Sequence, residues 1–492
     1  MQQNELPEGW ENVPLMEICS LIRGVSYKRG EEKDEANEDY VPLIRANNIQ
    51  KVLQFEDLKY VPSKLVSSEK LLTMGDVIIA LSSGSKKVVG KAVTLSKPWF
   101  GTFGAFCGVL RPNNYISWKY FGYYFQTSDY RDFISIKSSG VNINNLKREY
   151  FEQIYFPLPP LPEQHRIVAA IEALFTRLDA TNERLDRVSE IMKAFRQAVL
   201  ATACDGRLTE DWREEQSGLP DARELLEQIH REREKTAKAS GKKVKSVKTV
   251  TDNELEELPK LPQEWTWIYL DSLGCLARGK SKHRPRDDAI LFGGEYPFIQ
   301  TGEVRAAKHT ISTFENTYSE FGLAQSKLWP KGTLCITIAA NIAETAFLGF
   351  DACFPDSIVG FSPSENIVIK EYIHYFLKGN QSKIEAFAPA TAQKNINLKT
   401  LENLFIPYCS LSEQQEIVRR VDALFAFADS IEAKVKAARE KTERLRQSIL
   451  AKAFSGELVP TEAELARQEG REYESAEVLL ERIKAEGKSG KK

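Results

Sequence analysis

The chain has 492 residues, of which 42% are hydrophobic and 28% are charged. This composition is typical of a soluble protein with several domains, and no apolar run approaches the ~20 residues needed to span a bilayer, so we expect no membrane-spanning helix. The formal net charge of −2 argues against a protein that coats a polyanion. It does not exclude DNA binding, which depends on where the cations lie.

The N-terminus and the cysteines indicate the cellular compartment. Residues 1–8 contain neither a basic stretch nor an apolar core, so we expect no secretory signal. The seven cysteines are scattered and form no Cys-x-x-Cys pair, which predicts neither disulfides nor a zinc site. We therefore expect a cytoplasmic protein.

The sequence is a tandem repeat of one two-part unit. Leu-Pro-Glu-Gly-Trp at 6–10 recurs as Leu-Pro-Gln-Glu-Trp at 261–265, and Leu-Pro-Glu-Gln at 161–164 returns as Leu-Ser-Glu-Gln at 411–414. Between these anchors the halves diverge, whereas the segments that end each unit stay similar. Uniform drift after duplication would not obviously give this pattern. The pattern favours two copies whose similar segments bind the same kind of partner and whose divergent segments recognise different targets.

Residues 1–158 are predicted to form a first domain of mixed α and β structure. An apolar run at 77–80 predicts a strand and an aromatic-rich segment at 118–125 predicts a short helix. Arg and Asn side chains can bond base edges, while Lys and Ser suit phosphate. Polar loops of this domain therefore predict a DNA contact surface, although a solvated charged turn is the alternative for each loop alone. The candidate residues are Lys28, Arg29, Arg45, Asn47, Ser83, Lys86, Lys87, Lys137 and Asn142.

Residues 159–206 are predicted to form a long helix, because 163–203 contain neither Pro nor Gly. Apolar residues alternate at spacings of four and three, which is a heptad seam. About 40 residues at 1.5 Å each make a rod of roughly 60 Å. The predicted seam residues are Ile167, Ile171, Leu174, Leu178, Leu185, Val188, Phe195 and Val199.

Residues 207–260 are predicted to be a charged, mostly solvated linker with one helical stretch. Residues 261–408 repeat the mixed α and β domain, with a strand predicted at 334–338 and a helix at 371–377. Its polar loops again contain Arg, Lys, Asn and Gln in matching places. The candidate DNA contacts here are Arg278, Lys280, Lys282, Arg284, Arg286, Gln300, Lys394 and Asn395.

Residues 409–456 predict a second long helix in the same heptad phase, and residues 457–492 predict a charged tail that resembles the linker. The simplest account is that the two helices pack on each other as a coiled coil. A helical hairpin with no other partner is the alternative. The second seam consists of Ile417, Val421, Leu424, Ile431, Val435, Leu445 and Ile449.

No catalytic or metal-binding motif stands out in the sequence. The string Gly-x-x-x-x-Gly-Lys occurs once, at 274–280, but the proline-interrupted stretch that follows it does not predict the helix of a phosphate loop, and a Gly-x-Gly-x-x-Gly fingerprint is absent. Pro355-Asp356 is not followed by the Glu-x-Lys of a nuclease, and the five histidines show no ligand spacing. We therefore expect a non-catalytic protein that holds no metal. A lone DNA-modifying enzyme with degenerate motifs, and a coiled-coil scaffold for other proteins, remain alternatives.

Four features together resemble the specificity (S) subunits of Type I restriction–modification systems. They are the Leu-Pro-x-x-Trp opening, the Gly-Asp-Val-Ile-Ile segment, the Asn-Ile-Asn turn, and above all the proline-rich stretch at 157–164 that leads into a long helix. The resemblance spans nearly the whole chain, twice. The second copy departs from the proline-rich pattern at 407–414.

This resemblance implies an α+β fold with two target-recognition domains, each followed by a long helix, and the two helices form an antiparallel coiled coil. Each domain would read one half of a bipartite site in double-stranded DNA. The helices would set the spacing and dock two methylation (M) subunits, which restriction (R) subunits join. The chain itself would bind no cofactor, since S-adenosylmethionine, ATP and Mg belong to the partner subunits.

Overall fold

The computed structural model describes residues 6–83, 88–138, 146–240, 248–339, 342–364, 366–386 and 396–489. The chain divides into two compact units. Unit 1 consists of Met1–Asp186 and Lys436–Lys492, and unit 2 is Arg187–Val435. Each unit contains one mixed α and β domain and a part of both long helices, so the predicted fold class is confirmed.

The first repeat contains nine strands and five α-helices in its described part. The strands are β1 (Glu11–Pro14), β2 (Cys19–Arg23), β3 (Tyr40–Ile44), β4 (Lys59–Pro62), β5 (Val77–Ala80), β6 (Ala92–Thr94), β7 (Thr102–Phe103), β8 (Cys107–Pro112) and β9 (Tyr155–Leu158). The helices are α1 (Leu15–Ile18), α2 (Trp118–Tyr124), α3 (Ser128–Ser138), α4 (Arg148–Phe151) and α5 (Leu161–Cys204).

The remaining elements follow the same plan. The helices are α6 (Glu210–Glu215), α7 (Ala222–Ser240), α8 (Asp252–Glu257), α9 (Thr301–Ala306), α10 (Glu320–Ala324), α11 (Lys370–Gly379), α12 (Gln381–Ala386), α13 (Leu398–Glu402), α14 (Leu411–Ser455), α15 (Glu462–Glu469) and α16 (Ala476–Ser489). The strands are β10 (Thr266–Tyr269), β11 (Gly274–Arg278), β12 (Phe292–Phe298), β13 (Thr310–Ile311), β14 (Asn316–Tyr318), β15 (Leu334–Thr337), β16 (Thr345–Leu348), β17 (Ile358–Pro363) and β18 (Phe405–Tyr408).

The larger sheets of the two domains share the order of four strands, to which the second domain adds a fifth. The larger sheet runs β2-β8-β5-β6 in the first domain and β11-β17-β15-β16-β13 in the second. Strands β5 and β15, predicted from their apolar runs, lie in the middle of these sheets and are buried along their whole length. In each domain the first strand pairs antiparallel with the last, β1 with β9 and β10 with β18. Both ends of each domain therefore meet where its long helix begins.

Helices α5 and α14 run antiparallel within each unit. In unit 1, Asp186 pairs with Arg439, and Asp179 pairs with Arg446. In unit 2, Arg196 reaches Asp429 at 2.9 Å. Residue numbers rise along one helix as they fall along the other, which defines the antiparallel orientation.

Most seam residues are buried near the ends of the seam and half-buried between them, with Val435 as a buried residue in the middle of α14. Buried seam residues are Ile167, Ile171, Val199, Ile417, Val421 and Val435. Half-buried ones are Leu174, Leu178, Leu185, Val188, Phe195, Leu424, Ile431 and Ile449. Leu445 departs from the expectation, because its side chain is exposed while Thr442, a turn earlier, is buried. A pair of helices covers only one side of each seam residue, which explains the partial burial in the middle.

A buried glutamate anchors the start of α5 in unit 1. The carboxylate of Glu163 accepts a hydrogen bond from Nε1–H of Trp10 at 2.9 Å and from the backbone N–H of Glu462 at 2.8 Å. Burial raises the pKa of Glu163. The carboxylate thus ties together the tryptophan that opens the repeat, the start of one long helix and the segment that follows the other. We call this arrangement the carboxylate clasp.

Unit 2 contains a second carboxylate clasp at Glu413, on α14. It accepts hydrogen bonds from Nε1–H of Trp265 at 2.9 Å, from the hydroxyl of Thr209 at 2.8 Å, and from the guanidinium of Arg213 at 2.8 Å. Thr209 and Arg213 follow α5, just as Glu462 follows α14. The recurring Trp and Glu-Gln motifs of the sequence are therefore the structural joints of the repeat.

The segments 207–260 and 457–492 contain packed helices, which corrects the expectation of a mostly solvated linker and tail. Leu225 and Ile229 of α7 are buried in the core of unit 2. Leu479 and Ile483 of α16 are buried in the core of unit 1. In both helices apolar residues four positions apart form a narrow buried stripe, and the abundant charges lie on the remaining surface.

Replacing Leu479 by alanine is expected to lower the free energy of unfolding of unit 1 by about 2–4 kcal/mol, because it leaves a cavity in a packed core. Leu479 is 1% exposed, whereas the neighbouring Val478 is 51% exposed and provides a matched control. Val478→Ala should change stability by less than about 0.5 kcal/mol. Urea unfolding of both variants measures the difference, and equal effects would show that α16 is not part of the core.

Candidate nucleic-acid interface

Four segments of the first domain converge on one open cleft of about 850 Å³. They lie beyond the ends of β2, β3, β5 and β7, so the sheets fix their positions. Four of the predicted DNA contacts, namely Arg29, Arg45, Asn47 and Ser83, line this cleft together. The other lining residues are Val25, Ser26, Tyr27, Glu32, Ala46, Ser82, Gly104, Ala105, Phe106 and Cys107.

A glycine at the end of β2 lets the backbone close the floor of this cleft. A Cβ atom on Gly24 would lie 2.1 Å from the carbonyl oxygen of Gly104. The second domain repeats the arrangement at Gly279, where a Cβ would lie 2.3 Å from the carbonyl oxygen of Phe354. Only glycine allows this approach, which explains why a glycine stands at this place in both copies.

Arg45 is held in place but keeps hydrogen-bonding capacity. Its Nη2 donates to the carbonyl of Asp57 at 3.1 Å, and its backbone N–H donates to Oδ1 of Asn48 at 2.9 Å. Its Nε atom is buried and has no acceptor among the described residues. Asn47, the next residue but one, is exposed on the same short turn. Guanidinium and amide groups side by side can read guanine and adenine edges.

Gln300 occupies the position of Arg45 in the second domain. Arg45 follows β3 and caps a short helical turn, and Gln300 follows β12 and caps α9. Its backbone N–H donates to the carboxylate of Glu303 at 3.1 Å, and the residue is exposed. The two domains therefore present an arginine and a glutamine at one equivalent place.

The remaining predicted residues of the first domain lie in several places. Lys28 is exposed beside Arg29, and its backbone N–H donates to the carboxylate of Glu31 at 2.6 Å. Lys137 lies on α3 with its ammonium 5.6 Å from the ring centre of Phe133, and it does not line the cleft. Lys86, Lys87, Asn142, Lys394 and Asn395 lie outside the described residues.

Arg278 and Arg286 of the second domain both bind Asp356. The guanidinium of Arg278 donates to the Asp356 carbonyl at 2.9 and 2.7 Å, and Arg286 donates to the carboxylate at 3.0 and 3.1 Å. Both partners of the Arg286–Asp356 ion pair are partly exposed, so the pair contributes little to stability and its arginine can exchange for a phosphate contact. Asp356, which the sequence places after Pro355 as in a nuclease motif, is therefore a hydrogen-bonding partner of two arginines.

The loop that carries Lys280, Lys282 and Arg284 is ordered by hydrogen bonds. The backbone N–H groups of Lys282 and His283 both donate to Oε1 of Gln325, at 2.5 and 3.0 Å. Arg284 donates to the carbonyl of Ser281 at 2.7 Å. The three basic side chains are exposed, so the loop presents a cationic surface suited to the DNA backbone.

Sequence reasoning missed Glu32 and Phe106, which line the first cleft. Hydrogen bonds from the backbone N–H groups of Glu32 itself and of Gly30 lower the pKa of the Glu32 carboxyl. It is therefore a charged acceptor at neutral pH, and a carboxylate can accept from the amino group of cytosine. Nothing in the local sequence marks Phe106, because the order of the strands brings it to the cleft, and Glu32 stands in a charged run typical of a solvated loop.

The structure shows neither a metal cluster nor a membrane span in its described parts. Nowhere in those ranges do three His, Cys, Asp or Glu side chains come close enough together to hold a metal ion. Likewise, among the described helices none is both long enough and apolar enough to cross a bilayer.

Comparison with known proteins identifies a family. Residues 7–190 and 262–440 match the family model for the Type I restriction modification DNA specificity domain. The chain is 32% identical to the Type I restriction enzyme EcoKI specificity subunit of Escherichia coli (strain K12) and 33% identical to the StySPI specificity subunit of Salmonella potsdam. Each alignment covers 99% of this chain and 97% of the relative.

A solved structure shares the fold. A chain from work on complex assembly and conformational transition of the type I R-M system aligns with a TM-score of 0.65 at 19% identity. The alignment covers 92% of this chain and 100% of that one.

Proposed function

The chain belongs to the family of Type I restriction–modification DNA specificity subunits, and from this premise we propose that its two domains read the two halves of a bipartite DNA target. One observation carries the proposal. The two domains place different side chains, Arg45 and Gln300, at one equivalent position on a shared backbone framework. Shared framework with different contact residues is what two readers of two different sequences require.

We propose further that the long helices dock two methylation subunits and set the spacing between the half-sites, and that restriction subunits join this core. Exposed apolar side chains on the helices support docking, since Ile191 is 59% and Phe427 57% exposed. S-adenosylmethionine, ATP and Mg would then bind to the partner subunits, and the whole complex would be located in the cytoplasm. The chain itself would be non-catalytic.

Replacing Arg45 by alanine should weaken DNA binding by about 1–3 kcal/mol, roughly 5- to 150-fold, when the chain is in complex with its methylation subunits. The loss should come from the first half-site only, because Arg45 lines the first cleft. Binding to DNA with one base pair changed at a time would locate the effect. The matched control is Arg148→Ala, an exposed arginine paired with Glu152 away from the cleft. A loss spread over both half-sites would contradict the assignment.

Inserting seven residues into each helix, after Asp186 and after Val435, tests the spacing function. A heptad preserves the seam and adds about 10 Å, or about three base pairs, to the gap between the half-sites. Both half-sites should stay the same. The modified sequence in cellular DNA gives the gap directly, and an unchanged gap would rule out a spacing role for the helices.

Two other functions make different predictions. If the chain were itself a modifying enzyme, the purified chain alone would transfer methyl groups from S-adenosylmethionine to DNA, and we expect no transfer. If it were a scaffold without DNA contacts, its complex would show no sequence preference at moderate salt, where contacts with phosphate alone weaken.

A further inference from the structure

The turn between β7 and β8 carries an exposed aromatic ring at the first cleft. Phe106 lines the cleft and is 69% exposed. Its backbone is fixed, because its carbonyl oxygen accepts hydrogen bonds from the N–H groups of Leu81 at 2.9 Å and Ser82 at 3.1 Å. A ring that stays in solvent contributes little to folding, so the core does not account for its presence there.

The neighbours of this ring indicate what it contacts. Arg45 and Asn47 line the same cleft and supply hydrogen-bonding groups beside an apolar surface. Phosphate is bound by cations and donors alone. The major groove instead presents donors and acceptors next to the C5-methyl group of thymine, which is its apolar feature.

The second domain has no aromatic ring at this position. Its equivalent residue is Ser357, whose carbonyl oxygen accepts from the N–H of Ile338 at 3.0 Å, just as Phe106 accepts from Leu81. The preceding Asp356 binds Arg286. The backbone of the turn is therefore common to both domains, while the side chains that it presents differ, as expected for residues that determine specificity.

We propose that Phe106 is a specificity-determining residue that reads the methyl group of one thymine in the first half-site. The proposal rests on the proposed function, since it assigns a base contact to the first recognition domain. Removing the ring or removing the methyl group would then eliminate the same contact, so the two changes would not add.

The test uses the complex of the full chain with its methylation subunits, carrying Phe106→Ser. Each thymine of the first half-site is replaced in turn by uracil, which lacks only the methyl group. The wild-type complex should lose about tenfold in affinity at one position. The variant should bind the thymine and uracil duplexes equally. The control is Phe100→Ser, because Phe100 is 67% exposed but lies outside the cleft. This control variant should prefer thymine over uracil as strongly as the wild type does.

The possible results distinguish a failure of the proposed Phe106 contact from a failure of the proposed bipartite recognition. If Phe106→Ser still distinguishes thymine from uracil, or if no thymine matters to the wild type, the inference is wrong and the bipartite reading stands. If the wild-type complex does not prefer a bipartite target to scrambled DNA, the proposed function is wrong, and the inference falls with it.

Discussion

Replacing Glu413 by alanine is expected to lower the free energy of unfolding of unit 2 by about 3–5 kcal/mol. The residue is 1% exposed, and its carboxylate accepts hydrogen bonds from Trp265, Thr209 and Arg213. The side chain of Arg213 is only 10% exposed. Removal of the carboxylate therefore leaves a nearly buried guanidinium with the more distant Glu264, 4.0 Å away, as its acidic partner among the described residues, and leaves two further buried donors without this acceptor.

Urea unfolding of the purified chain measures this effect. The matched control is Glu440→Ala on the same helix, because that glutamate is 55% exposed and lies 3.9 Å from its ion-pair partner Arg444. It should change stability by less than about 0.5 kcal/mol. Glu163→Ala should fall between the two variants, since Glu163 binds an indole and a backbone N–H. If Glu413→Ala were as mild as the control, the carboxylate clasp would not be a structural joint.

Exchanging residues 11–158 for the same segment of a relative with another target should replace one half of the recognised sequence and leave the other half intact. The exchange includes both β1 and β9, which pair with each other. The new domain therefore keeps both strands of the two-stranded sheet that joins its ends. A change of a whole half-site is expected to shift preference by more than about a thousandfold, because each mismatched base pair costs roughly 1–3 kcal/mol.

The reciprocal exchange of residues 266–408 serves as its control and should change the other half only. This segment contains β10 and β18, which form the equivalent two-stranded sheet. Binding to duplexes that combine old and new half-sites measures both exchanges. If either exchange altered both halves, the two domains would not read independently, contrary to the proposal.

The sequence predicted the features that depend on regular spacing. Apolar runs located β5 and β15, and the heptads located α5 and α14 within two residues of their ends. The spacing of four between Leu225 and Ile229 is the signal of a buried stripe, but the many charges around these two residues favour a solvated segment in the sequence alone.

The composition of the candidate site depended on contacts between distant segments. Arg45 and Ser83 could be named from their residue types, but their meeting with Phe106 in one cleft follows from the order of the strands. Similarly, the pairing of Arg286 with Asp356 joins residues 70 positions apart. Such proximity has no local sequence pattern, so only the folded chain reveals it.

The positions of modified bases in cellular DNA show whether this chain makes a Type I complex read a split sequence. DNA from cells that express the chain with its methylation subunits should be modified within one bipartite, non-palindromic motif whose two parts are separated by a fixed gap. DNA from cells that express the methylation subunits alone should lack that modification. A contiguous motif, or the same modification without this chain, would show that the chain does not direct the reading of a split sequence.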